Sequence, residues 1–311
     1  MVARSIDSVL AQEFQPFEIV VVDDGSTDNT REILSAYKNR IISIYQPNAG
    51  FAAARTRGIQ ETSSSLVAFH DSDDVMLPCR LEAQVAFMRE HPEVAALSGN
   101  AVIQGMESVD YLENCGIQFG KEGWVIVERG FQKLLSRNFM VDPASIIRRE
   151  CFLEVGGYDL SLRSSADWDL WLRMSRKWPL ACIKMPCVWV RKHERNLSSS
   201  PVEIACNIRI MDKALRCGEP LDQHALEAIL KRLYGQIRCY VIQNLTGPSE
   251  PDWGIKAKRC AEHLPCHQRL LVGLTTMLPR KLSGPVLRKV VKTRAAFRKK
   301  FNNGTSSLFR E

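Results

Sequence analysis

No stretch of this 311-residue sequence reaches 18 consecutive apolar residues, which argues against a membrane-spanning helix. Met1 to Asp7 lacks the apolar core of a signal peptide. Ten cysteines are present, yet no CxxC pair occurs. Without a secretory signal, the expectation is ten reduced thiols in a cytoplasmic protein. Internal repeats and low-complexity tracts are absent too. Acids are missing from residues 263–310, although the chain as a whole is well supplied with them.

What is there is ordinary globular material. Apolar residues make up 45% and charged residues 25%. That composition excludes whole-chain disorder, collagen and a coiled-coil rod. The length suggests roughly two domains. The net charge of +7 is unevenly placed. Residues 201–311 hold 20 Lys+Arg against 9 Asp+Glu, while residues 1–200 hold 22 against 26. This asymmetry sets the expected boundary, with one domain over 1–200 and a helical, basic region over 201–311.

The basic run comprises Arg280, Lys281, Arg288, Lys289, Lys292, Arg294, Arg298, Lys299 and Lys300, interleaved with Val286, Leu287, Val290, Val291, Phe297 and Phe301. It reads as a basic amphipathic helix, open between contact with an anionic membrane surface and simple solvation. No groove-reading motif accompanies the charge, so nucleic acid is not an expected partner. Cys260, His263, Cys266 and His267 gather four zinc-type ligands within eight residues. Paired zinc ligands normally come from two separated segments, and Pro265 interrupts a helix here, so a metal is disfavoured.

The first 100 residues alternate between two periods. Glu18 to Asp24, Ile41 to Tyr45, Leu66 to Asp71 and Val94 to Ser98 read as strands. Helices are expected over the stretch after Asp28, from Phe51 to Gln60 and from Pro78 to His91. This alternation argues for an α/β fold with a mainly parallel sheet. Residues 100–142 read as irregular strands and a loop. Ala144 to Arg148 and Cys182 to Val190 read as further strands, with a helix over Trp168 to Lys177 between them.

Three groups of acids sit at element ends. Asp23-Asp24 and Asp71-Ser72-Asp73-Asp74 end strands, and Asp167 and Asp169 open a helix. Ligands of open α/β sheets bind at the carboxyl ends of strands. Crowded carboxylates repel unless a cation lies between them, and a hard divalent metal is the natural one. The plainer alternatives are a turn with an N-cap at Asp71 and Asp73, and helix capping at Asp167.

Five stretches in order resemble family 2 glycosyltransferases of the GT-A nucleotide-sugar fold. They are Ile6 to Gln12 with Glu18 to Thr30; Pro47-Asn48-Ala49-Gly50 with Ala54-Arg55; and Phe69 to Asp74 followed by Pro78. The last two are Val155-Gly156-Gly157-Tyr158-Asp159 and Asp167 to Arg173. The resemblance covers roughly residues 5–200.

It implies roles by position. Asp23, Asp24, Arg55, Asp71 and Arg191 would bind the nucleotide sugar. Asp73 of the DxD motif, with His193, would hold Mn2+ or Mg2+. Asp167 would be the base that takes the acceptor proton in an inverting transfer. The implied donor is a nucleotide sugar, most often a uridine diphosphate sugar in this family. The implied acceptor is a glycan or lipid-linked hydroxyl, reached in the cytoplasm or at the inner face of the membrane.

Two departures stand out. The family's opening strand, with its Pro-Thr/Ser-Tyr-Asn segment, is missing, which predicts unpaired ladder groups and an open cleft. Ala166 stands where the family often has Glu. The Gln-x-x-Arg-Trp motif of processive synthases is also missing, favouring single additions. A non-catalytic GT-A-like binding module is the rival expectation. Metal-dependent hydrolysis by the acids alone is a third.

Overall fold

The computed structural model describes residues 1–105, 111–192, 201–215, 217 and 232. The chain divides into two compact units, Met1–Ser198 with Pro220–Ala225, and Ser199–Glu219 with Leu226–Glu311. The first unit opens with α1 (Val2–Leu10), β1 (Val20–Asp24), α2 (Thr30–Ala36), β2 (Ile42–Gln46), α3 (Phe51–Gln60), β3 (Leu66–Ala68) and β4 (Val75–Met76). It continues with α4 (Arg80–Glu90), β5 (Ala96–Ile103), α5 (Tyr111–Asn114), β6 (Trp124–Ile126), α6 (Gly130–Ser136), β7 (Ser145–Arg148), α7 (Arg149–Glu154), α8 (Ala166–Ser175) and β8 (Leu180–Val190). The helix α9 (Pro201–Leu215) belongs to the second unit. The basic run and the Cys260, His263, Cys266, His267 group lie outside the described residues.

The architecture is mixed α/β, and its two longest ladders are parallel. β1 pairs with β2 from Val20↔Ile42 to Asp24↔Gln46. β5 pairs with β8 from Ala96↔Leu180 to Ile103↔Val190. Four shorter ladders are antiparallel, joining β3 to β7, β7 to β5, and both β4 and β6 to β8.

β5 carries the longest buried run of the described strands, Ala96 through Ala101, with the polar Ser98 and Asn100 buried among apolar neighbours. Its one glycine has a packing reason: a Cβ on Gly99 would sit 2.1 Å from Cys187 Sγ. Leu97 packs there with Val85, Phe87, Met88, Val94, Ile146 and Ala181. On the other side, Ile6 of α1 packs with Leu34 and Ile41 in a smaller cluster.

The sheet is in two pieces. Among the described residues no strand joins β1 to β3. Both strands line one cavity of about 750 Å³, together with Ile6, Ile59 and Ile146. Alternate N–H and C=O groups of β1 point away from β2, because a ladder uses only every second residue on each side.

The stretch expected to be irregular is more ordered than its pattern suggests. β5 runs on to Ile103, and α5, β6 and α6 follow. These elements have only four, three and seven residues, too short for a period to show.

Candidate active site

Arg55, on α3, is the centre of a charged cluster. Its Nη2 donates to Asp71 Oδ1 at 2.6 Å, and its Nη1 pairs with Asp142. Nη1 also lies 3.4 Å from the Tyr158 hydroxyl. The guanidinium stands 5.0 Å from the Phe69 ring centre and 5.8 Å from that of Phe51. Burial works against this cation, but Tyr158 and Asp71 outweigh it and raise the Arg55 pKa. Tyr158 is buried among Phe51, Phe69 and Phe152, which pushes its hydroxyl up to about 12 against the pull of Arg55.

Asp167 lies in the first turn of α8. The helix is preceded by Ser165, without a side-chain cap, while the Asp167 carboxylate faces the N–H groups of Asp167 and Trp168 in the first turn. Asn138 Nδ2 donates to Asp167 Oδ2 at 3.4 Å. Burial raises the Asp167 pKa, against the pull of Arg55. A carboxylate poised this way is a better proton acceptor than one free in water. Asp169 has a different job. It is buried and pairs with Arg173 at 2.7 Å, and Arg173 holds the Val155 and Gly157 carbonyls at 2.7 and 2.6 Å. That clamp fixes the turn leading into Tyr158.

The acids after β3 are divided in role. Asp71 is committed to Arg55. Asp74 is buried and accepts from the Arg191 N–H at 3.0 Å, which ties the DxD turn to the end of β8. Burial and the nearby Asp71 and Asp73 push its pKa up to about 7. Asp73, Asp74, Gln104, Trp189 and Arg191 line a pocket of about 270 Å³. The helix after this turn starts at Arg80, preceded by Cys79 with no side-chain cap, so Asp71 and Asp73 are not its caps. His193 lies outside the described residues.

Asp23 and Asp24 make local contacts. Asp24 Oδ1 accepts from Gln46 at 2.7 Å and Ala49 N at 2.8 Å, and its Oδ2 accepts from Gly50 N at 2.8 Å. Its carboxylate is spent on holding the Pro47–Gly50 loop. Asp23 Oδ1 accepts from Ser26 N at 2.8 Å, while Oδ2 is buried without a hydrogen bond and lies 3.6 Å from Arg31 Nε. Burial opposes ionisation of Asp23, but Ser26 and Arg31 win and lower its pKa. The turn needs Gly25: its φ is +80°, and a Cβ there would lie 2.7 Å from Asn48 N.

The structure therefore gathers Arg55, Asp71 and Asp167 and links Arg191 to them through Asp74. Asp142, Tyr158 and Asn138 are site residues that sequence reasoning missed. Asp142 opens a strand region instead of ending one, so no strand-end rule finds it. Among the described residues no three His, Cys, Asp or Glu side chains form a ready metal cage.

The sequence profile of Glycosyl transferase family 2 matches residues 1–156. The chain belongs to this family. An uncharacterized glycosyltransferase of Rickettsia prowazekii (strain Madrid E) is 29% identical over 175 residues, covering 56% of this chain and 54% of that protein. The putative teichuronic acid biosynthesis glycosyltransferase TuaG of Bacillus subtilis (strain 168) is 37% identical over 103 residues, covering 32% and 41%. This family 2 chain spans about half the length of the curated relatives it matches. In fold it is similar to S. aureus TarS 1–349 in complex with UDP-GlcNAc, with a TM-score of 0.66 at 17% identity, covering 93% of this chain and 88% of TarS 1–349. The chain thus carries a family 2 domain and shares the fold of TarS 1–349. No helix among its described residues is long and apolar enough to cross a membrane.

Proposed function

We propose that the protein transfers a sugar, with inversion, from a nucleoside diphosphate sugar to a hydroxyl of a glycan or lipid-linked acceptor. The observation that carries this is the gathering of Arg55, Asp71 and Asp167, with the Asp73 turn tied to Arg191 through Asp74. A cation and a base of raised pKa are what such a transfer requires. The fold likeness to a chain crystallised with UDP-GlcNAc supports the donor class. The teichuronic acid assignment of TuaG supports an acceptor in envelope polysaccharide.

Asp167 takes the acceptor proton as the new glycosidic bond forms, because a bare hydroxyl is a poor nucleophile. One base on one face of the sugar gives inversion. Arg55 and Arg191 face the charge that builds on the departing nucleoside diphosphate. A divalent cation, Mn2+ or Mg2+, held by Asp73 would offset that charge further. Asp23 takes the nucleoside end, and Asp24 shapes the loop beside it. The domain over 1–200 carries the reaction. The basic region over 201–311 docks the enzyme at the inner face of the cytoplasmic membrane. Vesicle flotation tests that last point: unchanged binding after deletion of 280–311 removes it.

The test of the whole reading is turnover. Wild-type protein should release UDP from a UDP-sugar in an acceptor-dependent way, and Asp167→Asn should bind donor without turnover. A second reading, a non-catalytic GT-A-like module, is favoured by the 750 Å³ opening between β1 and β3. It predicts no acceptor-dependent release by the wild type.

A further inference from the structure

Arg80 is a cation spent inside the protein. It is 0% exposed. Its Nη1 donates to the Pro143 carbonyl at 2.7 Å, and its Nη2 to those of Phe69 at 2.9 Å and Ser145 at 3.2 Å. Its Nε donates to Gln84 Oε1 at 3.0 Å. All these partners are neutral. Gln84, also 0% exposed, sends its own Nε2 to the Ala144 carbonyl at 2.8 Å. One turn of α4 therefore binds four main-chain carbonyls on two separate segments.

Those segments are the ones that grip Arg55. Phe69 lies two residues before Asp71, and its ring lies beneath the Arg55 guanidinium. Pro143 follows Asp142. Asp71 and Asp142 are the two carboxylates on Arg55. We propose that Arg80, braced by Gln84, is a positioning residue that sets the separation of Asp71 and Asp142 and thereby aims Arg55 at the donor diphosphate. This rests on the reading of Arg55 as a diphosphate-binding residue. A lysine at position 80 keeps the charge but cannot span the carbonyls, because the planar fork of donors is lost.

The molecule supplies its own control. Arg148 holds three carbonyls in the same manner, those of Val94 at 2.9 Å, Met88 at 2.6 Å and His91 at 3.0 Å. None of these residues adjoins a partner of Arg55. An arginine clamp that is merely architectural should behave alike at both positions.

Two readouts are taken on the wild type, Arg80→Lys, Gln84→Met and Arg148→Lys. One is titration of UDP with Mn2+. The other is the nitrogen-15 signal of the Arg55 side chain, assigned by its loss in Arg55→Lys. Arg80→Lys should weaken UDP binding by about tenfold or more and shift the Arg55 signal, as loss of a supporting partner does at other sites. Arg148→Lys should lower the melting temperature while leaving both readouts as in the wild type. Should Arg80→Lys fail to fold, Gln84→Met must still shift the Arg55 signal. An unmoved Arg55 signal in folded Arg80→Lys or Gln84→Met overturns the proposal, and so does an equal response to Arg148→Lys. If the wild type binds no UDP while Arg80→Lys moves the Arg55 signal, the donor reading falls and the positioning role stands.

Discussion

The two halves of the sheet hold their acids by different means. On the β3–β8 side, Asp71 and Asp167 are set around a partly buried cation, behind a strand whose first six residues are buried. On the β1–β2 side, Asp23 and Asp24 are held by a turn and a loop, and β1 is buried only at Asp23. The difference teaches that rigidity and chemistry coincide. On the proposed reading, the groups that must sit within fractions of an ångström of the reacting atoms stand on the packed half. The groups assigned to the nucleoside stand on a two-stranded ribbon beside an open cavity.

The largest expected effect lies on the packed half. Asp167→Asn should lower turnover by about a hundredfold to ten-thousandfold, the range for losing a general base, with UDP affinity kept. Steady-state kinetics beside a UDP titration checks this. The raised Asp167 pKa gives a sign as well: activity should fall on acidification at a pH above the ordinary carboxylate range, because only the ionised form accepts the proton.

Packing separates the halves next. Leu97→Ala, in the buried cluster on β5, should cost about 2–5 kcal/mol of stability, counting the cavity it leaves. Val21→Ala on β1 should cost about 1 kcal/mol or less, since that side chain is only partly buried. Urea unfolding of both variants measures the gap, and equal losses would erase the contrast.

His70 sits at the seam and gives a pH signature. It lines the cavity, and both ring nitrogens are buried without a hydrogen-bond partner. Burial, with the nearby Arg80 cation, pulls its pKa from 6.5 to about 4. The unfolded chain then takes up the proton first, so stability is intact above pH 6.5 and is lost as pH falls toward about 4. The His70 share over that window should be about 3 kcal/mol, opposed by the raised pKa of Asp74, and it is read as the difference between wild type and His70→Phe. Melting temperatures across that range test the difference.

The most local effect belongs to the loop. Asp24→Ala removes acceptors for Gln46, Ala49 and Gly50 and should cost about 1–3 kcal/mol. Hydrogen exchange should quicken at Ala49 and Gly50 and stay unchanged in β5.

Much of this organisation is legible in the chain itself. Val20-Val21-Val22-Asp23-Asp24 announces a strand ending in acids, as β1 is, whereas the strand read over Leu66 to Asp71 stops at Ala68, short of its acid. Asp167 is legible only as an acid at the start of a helix after Ser164-Ser165, and its candidacy as a base comes from the family 2 resemblance. Asp142 is not, because it pairs with Arg55 across 87 positions and lies before its strand. The fate of Asp24 is equally hidden, since a loop amide can claim a carboxylate as readily as a ribose can. The antiparallel ladders escape notice because β3, β4 and β6 have only three, two and three residues. Apolar alternation over so few positions does not state a direction.

The most direct test of the central claim is calorimetric titration of UDP into the wild type and Asp73→Ala, each with Mn2+. The account predicts metal-dependent binding by the wild type and its loss in the variant. Equal binding by both proteins, or binding indifferent to the metal, would contradict it.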